Sequence, residues 1–176
     1  MSRATIEMIL RIHEACATPL YSVLEGIKEN ELNWQPASES RSIGSIINHL
    51  IRVDKGFLKK LGYNTKTNDI EGGSAKEILS ALKSHHKEVR DIIISCKDDS
   101  ELYEKHLPDK KERGTLGDII VHISQHYMYH LSQVIYLRRA QNRQWKSPEG
   151  QWEEATYIIA ELLEPVRRIH KIEKVM

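Results

Sequence analysis

The chain has 176 residues, a formal net charge of +1 and two cysteines. This length fits one domain with a sizeable core, and the balanced charge gives no reason to expect a nucleic acid or a membrane surface as a partner. Two cysteines without a CxxC motif exclude a thiolate zinc site and do not indicate a disulfide framework. Because the N-terminus lacks the apolar core of a signal peptide, we expect a cytoplasmic protein.

Apolar residues recur at helical spacing in four long segments of the chain. The first segment runs from about Thr5 to Glu29, and Pro19 inside it predicts a kink or a break. A connection from Glu31 to Arg41 follows. The second helix is expected to begin after Ser42, which is a suitable N-cap, and to end at Gly62.

Two further helices are predicted in the second half of the chain. The third runs from about Ala75 to Cys96, after a loop that ends with Gly72-Gly73-Ser74. A polar loop from Lys97 to Gly114 leads into the fourth helix, which contains neither Pro nor Gly after Gly117. Four amphipathic helices with two longer connections predict an all-α four-helix bundle over residues 1–144.

The remaining segment, residues 145–176, is expected to form an extension of this bundle. Its stretch from Glu153 to Leu163 has apolar residues at helical spacing, and Pro165 follows. We therefore predict a short fifth helix here. We expect this helix to pack on one end of the bundle, to cover the mouth of a functional site, or to contribute to a homodimer interface.

Three histidines, His122, His126 and His130, recur every fourth residue in the fourth helix. Residues four apart lie on the same helix face, so two such histidines can bind one metal ion. His126 and His130 are expected to face the core and His122 to lie at its edge, with Gln133 between His122 and His126. The alternative is that each is a core histidine with a hydrogen-bond partner. Imidazole suits Zn, Cu, Fe and Ni, so the pair does not select the metal.

A third metal ligand has to come from another helix. His49 lies at the shoulder of the apolar stripe of the second helix, and His13 lies near the centre of the first helix's stripe. Both are candidates on geometry alone. His85 and His86 are adjacent, so at most one is expected to face inward, and the charged residues around them predict a wet surface.

These motifs resemble the DinB/YfiT-like family of metalloenzymes. The resemblance rests on a histidine in the middle of the second helix, preceded by Trp34 and Ser42-Ile43, and on an H-x3-H pair followed by Gln133. The family's usual fourth-helix pattern is H-x3-H-R-G-Q, and this chain has Leu131 and Ser132 where that pattern has Arg and Gly.

The resemblance spans roughly Ile6 to Arg139. It implies an up-down-down-up order of the four helices, with long crossover connections, and a homodimer. It also implies that His49, His126 and His130 hold a divalent metal, for which Zn or Ni is expected.

Family members of known chemistry are thiol-dependent S-transferases that use bacillithiol, mycothiol or glutathione. We therefore expect a metal-dependent enzyme that binds a small-molecule substrate and a low-molecular-weight thiol. The enzymatic alternative is a metal-dependent hydrolase, in which His13 or His122 acts as the base. These two histidines and Gln133 could instead contact a metal-binding residue and fix its orientation.

Two further classes of protein, one non-catalytic and one oxygen-handling, are alternatives. A metal-stabilised bundle that acts as a binding or stress-response module is the first of them. A ferritin-like diiron protein is the second, and that class needs E-x-x-H pairs. Since no Glu stands three residues before a histidine in this chain, the sequence argues against a diiron centre.

Overall fold

Four long α-helices form a bundle, and two single-turn helices lie in its connections. The computed structural model describes residues 2–68, 70, 72–108, 114–148 and 157. Its helices are α1 (Ala4–Leu24), α2 (Glu29–Leu32), α3 (Ile43–Lys60), α4 (Ala75–Ser95), α5 (Glu101–Glu104) and α6 (Leu116–Gln141). Helices α1 and α3 each pack against both α4 and α6. The predicted all-α bundle is confirmed, while the up-down-down-up order stays a prediction.

Side-chain caps fix where three of the long helices begin. Ser42, Ser74 and Thr115 each accept a hydrogen bond from the backbone N–H three residues further on. Such a cap contributes about 1 kcal/mol to stability. The predicted starts after Ser42 and near Ala75 are therefore confirmed, and the cap at Thr115 sets the phase of the helix that carries the histidines.

Helix α1 differs from its prediction in two respects. It ends at Leu24 and not near Glu29, where α2 begins instead. Gly26 follows with a φ of +64°, a left-handed conformation that ends a helix and that glycine adopts without strain. Of the kink or break predicted at Pro19, the break is wrong, because the helix continues through this residue.

The core lies between the four long helices and is mainly aliphatic. On α6 the predicted apolar arc is buried, and none of its residues is more than 6 % exposed. Its members are Leu116, Ile119, Ile123, Tyr127, Val134 and Leu137. His122, at the border of this arc, is exposed.

The C-terminal extension is only partly described. Trp145 packs against the core, and the guanidinium carbon of Arg138 lies 4.5 Å from its ring centroid. The helix predicted from Glu153 to Leu163 lies outside the described residues, apart from Tyr157. Within the described ranges, no helix combines the length and the apolar character needed to cross a membrane.

Candidate metal centre

Three histidine side chains from two helices converge at one side of the bundle. His49 comes from α3, while His126 and His130 lie one turn apart on α6. One ring nitrogen of each lies within 4.8 Å of the corresponding atoms of the other two. The Nε2 atoms of His126 and His130 are 2.9 Å apart. This three-histidine cluster could hold a metal ion, and His13, the other candidate for a third ligand, is not part of it.

Hydrogen bonds at Nδ1 orient the rings of the two α6 histidines. Nδ1 of His126 donates to Oδ1 of Asp54 at 2.9 Å, and Nδ1 of His130 donates to Oε1 of Gln133 at 2.8 Å. A neutral imidazole carries one proton, so a ring that donates through Nδ1 has a lone pair on Nε2. Two lone pairs therefore face each other across 2.9 Å, and a cation stabilises this arrangement.

The surroundings of the cluster favour neutral imidazoles. Burial, with a contribution from the positive charge of Arg41, lowers the pKa of His49 to about 4. Burial and Arg41 also lower the pKa of His126. For His130 the pKa is lowered by burial first and then by its neighbours His126 and Arg41. Since a histidine binds a metal only in its neutral form, all three are prepared for ligation at neutral pH.

Asp54 is a fully buried carboxylate on α3 that sequence reasoning missed. Its Oδ1 holds His126, and its Oδ2 lies 3.5 Å from Nε2 of His85. Burial raises the pKa of Asp54 to about 6, so the carboxylate is ionised at neutral pH and can accept both contacts. Asp54 shares the inward stripe of α3 with Ile51 and Leu58. An acidic residue in an apolar stripe is the signal that could have revealed it.

A second group of histidines, His13, His85 and His86, lies in the core and is here called the core histidine cluster. The wet surface predicted for His85 and His86 is wrong, because they are 0 % and 7 % exposed. His85 stands in the apolar stripe of α4 with Leu82 and Val89, and this position outweighs its charged sequence neighbours. Both adjacent histidines are buried because α4 packs against α1 on one side and α3 on the other.

The core histidine cluster has a different hydrogen-bonding pattern. The ring centroid of His13 lies 4.6 Å from that of His86 and 5.8 Å from that of Tyr127. Nδ1 of His86 bonds the hydroxyl of Tyr21, and its Nε2 lies 3.4 Å from Oε2 of Glu14. Among the described residues, neither ring nitrogen of His13 has a hydrogen-bond partner. Burial, together with His86 and His85, lowers the pKa of His13 to about 3.

His122 and Gln133 flank the three-histidine cluster. The exposed ring of His122 stacks on that of His126 with centroids 5.9 Å apart, and its edge contacts Phe57. Gln133 was expected to project between His122 and His126, and its side chain reaches His130. The two side chains form a hydrogen bond because a spacing of three residues on one helix brings them together.

An open pocket of about 690 Å³, here called the histidine pocket, gives access to the cluster. Helix α6 forms one wall, and α3 with its preceding connection forms the other. The lining residues are Pro36, Ser40, Arg41, Ile46, His49, His126, Tyr129, His130, Ser132, Gln133, Tyr136 and Leu137. None of these described residues is acidic. Tyr129 and Tyr136 are exposed at the mouth.

A family model described as the DinB superfamily matches residues 13–134, which are 122 of the 176 residues (134 − 13 + 1). The matched range contains all three histidines of the cluster and also Asp54. No curated protein and no solved structure matches the chain.

Proposed function

The chain belongs to the DinB superfamily, and on that basis we propose that it is a divalent-metal-dependent, thiol-dependent S-transferase. The proposed metal ligands are His49, His126 and His130, and the proposed ion is Zn or Ni. The single observation that carries the proposal is the pair of facing Nε2 atoms, 2.9 Å apart, whose Nδ1 atoms are both engaged with acceptors. Core histidines without a metal role have no reason to present lone pairs to each other.

The donor set fits a divalent ion with catalytic chemistry. A divalent ion held by three imidazoles keeps positions open, at which it lowers the pKa of a thiol or of a water molecule. Asp54 and Gln133 fix the ring orientation of His126 and His130, a support that metal-binding histidines usually need. The pocket volume of about 690 Å³ is in the range that accommodates a small molecule.

The proposed reaction joins a low-molecular-weight thiol to an electrophile. The thiol gives its proton to water, its sulfur forms a bond to the electrophilic carbon, and the bond from that carbon to the leaving group breaks. The leaving group departs into solvent with the bonding electron pair. Both reactants would enter through the open side of the pocket, where Tyr129 and Tyr136 are exposed. The apolar side chains of Ile46 and Leu137 cover part of the pocket wall and favour a reactant with some apolar surface.

The test uses untagged protein loaded with Co²⁺ and a panel of low-molecular-weight thiols. We expect a sulfur-to-cobalt charge-transfer band near neutral pH, below the free thiol pKa of roughly 8.5. We also expect conjugation of the thiol to a chromogenic electrophile, lost when the metal is removed. His49→Ala should lose both signals, and the matched control His122→Ala should keep both.

Each alternative has its own outcome in this experiment. Bound cobalt with neither the band nor conjugation would contradict the transferase proposal. Ester hydrolysis by the same loaded protein would then assign a metal-dependent hydrolase, and no activity would assign a metal-stabilised binding module. A protein that binds no divalent metal at all would contradict every metal-dependent function.

A further inference from the structure

Two cationic side chains, Arg41 and Arg52, stand near His49, and of these Arg41 alone is among the described residues that line the histidine pocket. Arg41, at the end of the connection before α3, lines the histidine pocket and also a smaller hollow of about 230 Å³ next to it. His49 is the other residue that lines both. Arg41 lines the same pocket as His49, His126 and His130, and its charge contributes to the lowered pKa of each of these histidines.

Arg41 has no ion-pair or hydrogen-bond partner among the residues that the structure describes. Elsewhere in the described chain, Arg90 pairs with Glu14 at 2.9 Å and the buried Arg138 pairs with Glu31 at 3.3 Å. No described acidic side chain lines the pocket that Arg41 faces. The pocket is therefore cationic before any metal binds.

We propose that Arg41 determines the specificity of the histidine pocket by binding a carboxylate, or a comparable oxyanion, on the ligand. A guanidinium binds such a group through two parallel hydrogen bonds, and it stays charged at every relevant pH. The exposed rings of Tyr129 and Tyr136 remain available for the rest of the ligand. This inference rests on the proposed function, since it names the class of molecule that the same site accepts.

The test compares two thiols of similar size on the cobalt-loaded protein, 3-mercaptopropionate and 2-mercaptoethanol. The affinity of each is read from the sulfur-to-cobalt band. A hydrogen-bonded charge pair changes affinity by roughly 10- to 100-fold. Arg41→Gln should therefore lower the affinity for 3-mercaptopropionate by this factor and leave the affinity for 2-mercaptoethanol unchanged. Arg143→Gln, which removes an equal charge outside the pocket, should change neither.

The carboxylate of 3-mercaptopropionate can also chelate cobalt, and this affects wild type, Arg41→Gln and Arg143→Gln equally. The role of Arg41 is therefore read from the difference in affinity between these proteins. A second titration follows the binding of succinate to the metal-free protein by calorimetry. If Arg41→Gln lowers the affinity for succinate but not for 3-mercaptopropionate, Arg41 binds an anionic group of the electrophile and not of the thiol, and the inference stands. If Arg41→Gln changes neither ligand, the inference is overturned.

The two proposals fail in distinguishable ways. Absence of cobalt binding or of any sulfur band contradicts the proposed function, and the succinate titration still decides the role of Arg41. The role of Arg41 alone is overturned by a different set of results. The sulfur-to-cobalt band is then normal, wild type and Arg41→Gln show the same preference between the two thiols, and both bind succinate equally well.

Discussion

The histidine pocket and the core histidine cluster contain the same residue type in similar numbers and lead to opposite chemistry. In both, burial lowers histidine pKa values and keeps the rings neutral. In the pocket, His126 and His130 turn free lone pairs toward each other and toward a cavity. In the core cluster, the rings of His13 and His86 meet edge to face, and His86 is occupied by Tyr21 and Glu14.

The comparison teaches that neither the number of histidines nor their burial identifies a metal site. What separates the two regions is the convergence of unprotonated nitrogens next to an accessible cavity. Asp54 lies between the regions, with one oxygen on His126 and the other facing His85. It therefore gives each region a charged neighbour, but only the pocket can use it to orient a metal ligand.

The largest expected effect is loss of the metal. Elemental analysis of untagged wild-type protein should give about one ion per chain. The variants His49→Ala, His126→Ala and His130→Ala should each give close to none, because three ligands leave no redundancy. His13→Ala and His122→Ala are the matched controls and should retain the ion, because neither residue belongs to the three-histidine cluster.

One result would reverse the assignment of the two regions. If His13→Ala emptied the site while His49→Ala left it filled, α1 would supply the third ligand. A filled site in His126→Ala would equally contradict the ligand set proposed here.

The next effect in size concerns Asp54. Loss of a group that orients a metal-binding histidine typically costs 10- to 100-fold in metal affinity. Asp54→Asn keeps an acceptor for Nδ1 of His126 but loses the charge, so we expect about a tenfold loss, and a larger one for Asp54→Ala. Competition with a chromophoric chelator measures both. Glu31→Gln removes another buried carboxylate, paired with Arg138, and should leave the affinity unchanged.

Equal losses in Asp54→Asn and Glu31→Gln would show that general destabilisation, not orientation of His126, is responsible. An unchanged affinity in Asp54→Ala would show that the hydrogen bond to His126 does not matter for metal binding.

A smaller effect is expected in the core cluster. The pKa of His13 is about 3 in the folded chain and about 6.5 in the unfolded chain, so only the unfolded chain takes up this proton between these values. Stability therefore falls as the pH falls below 6.5, by about 1.4 kcal/mol per pH unit. His85, His86 and Tyr127 face His13 and are unchanged in a His13→Leu variant.

Urea unfolding with a chelator present at pH 7 and pH 5 tests this difference. Wild type should lose about 2 kcal/mol more free energy of unfolding between these pH values than His13→Leu. At pH 7 the variant should not be less stable, since it removes two buried nitrogens without partners. Parallel pH dependences of the two proteins would contradict the assignment.

Much of the fold could be predicted because its signals are local. Ser42, Ser74 and Gly62 mark helix ends through side-chain caps and a left-handed glycine, at φ +84° for Gly62. The same signal was present at Gly26 and was not used, so α1 was predicted too long. The domain division, the homodimer and the cytoplasmic location stay predictions, because no feature of the described chain tests them.

The site was predicted less completely, for two physical reasons. His85 was assigned to a wet surface because nearby charges were given more weight than its helical position, although the apolar stripe decides burial. Arg41 lies in a connection without helical periodicity, and only the packed chain brings it to the histidines. The choice of His49 over His13 came from the family resemblance, since periodicity left both open.

The two helices that carry the three-histidine cluster are distant in sequence, since His49 and His126 are 77 positions apart (126 − 49). An ion bound by both would act as a removable cross-link between α3 and α6. Amide hydrogen exchange should then slow around residues 126–130 on α6 and around residue 49 on α3 when the protein is loaded. The packing of α1 against α4 lies outside this cross-link, so its exchange should respond little to chelation.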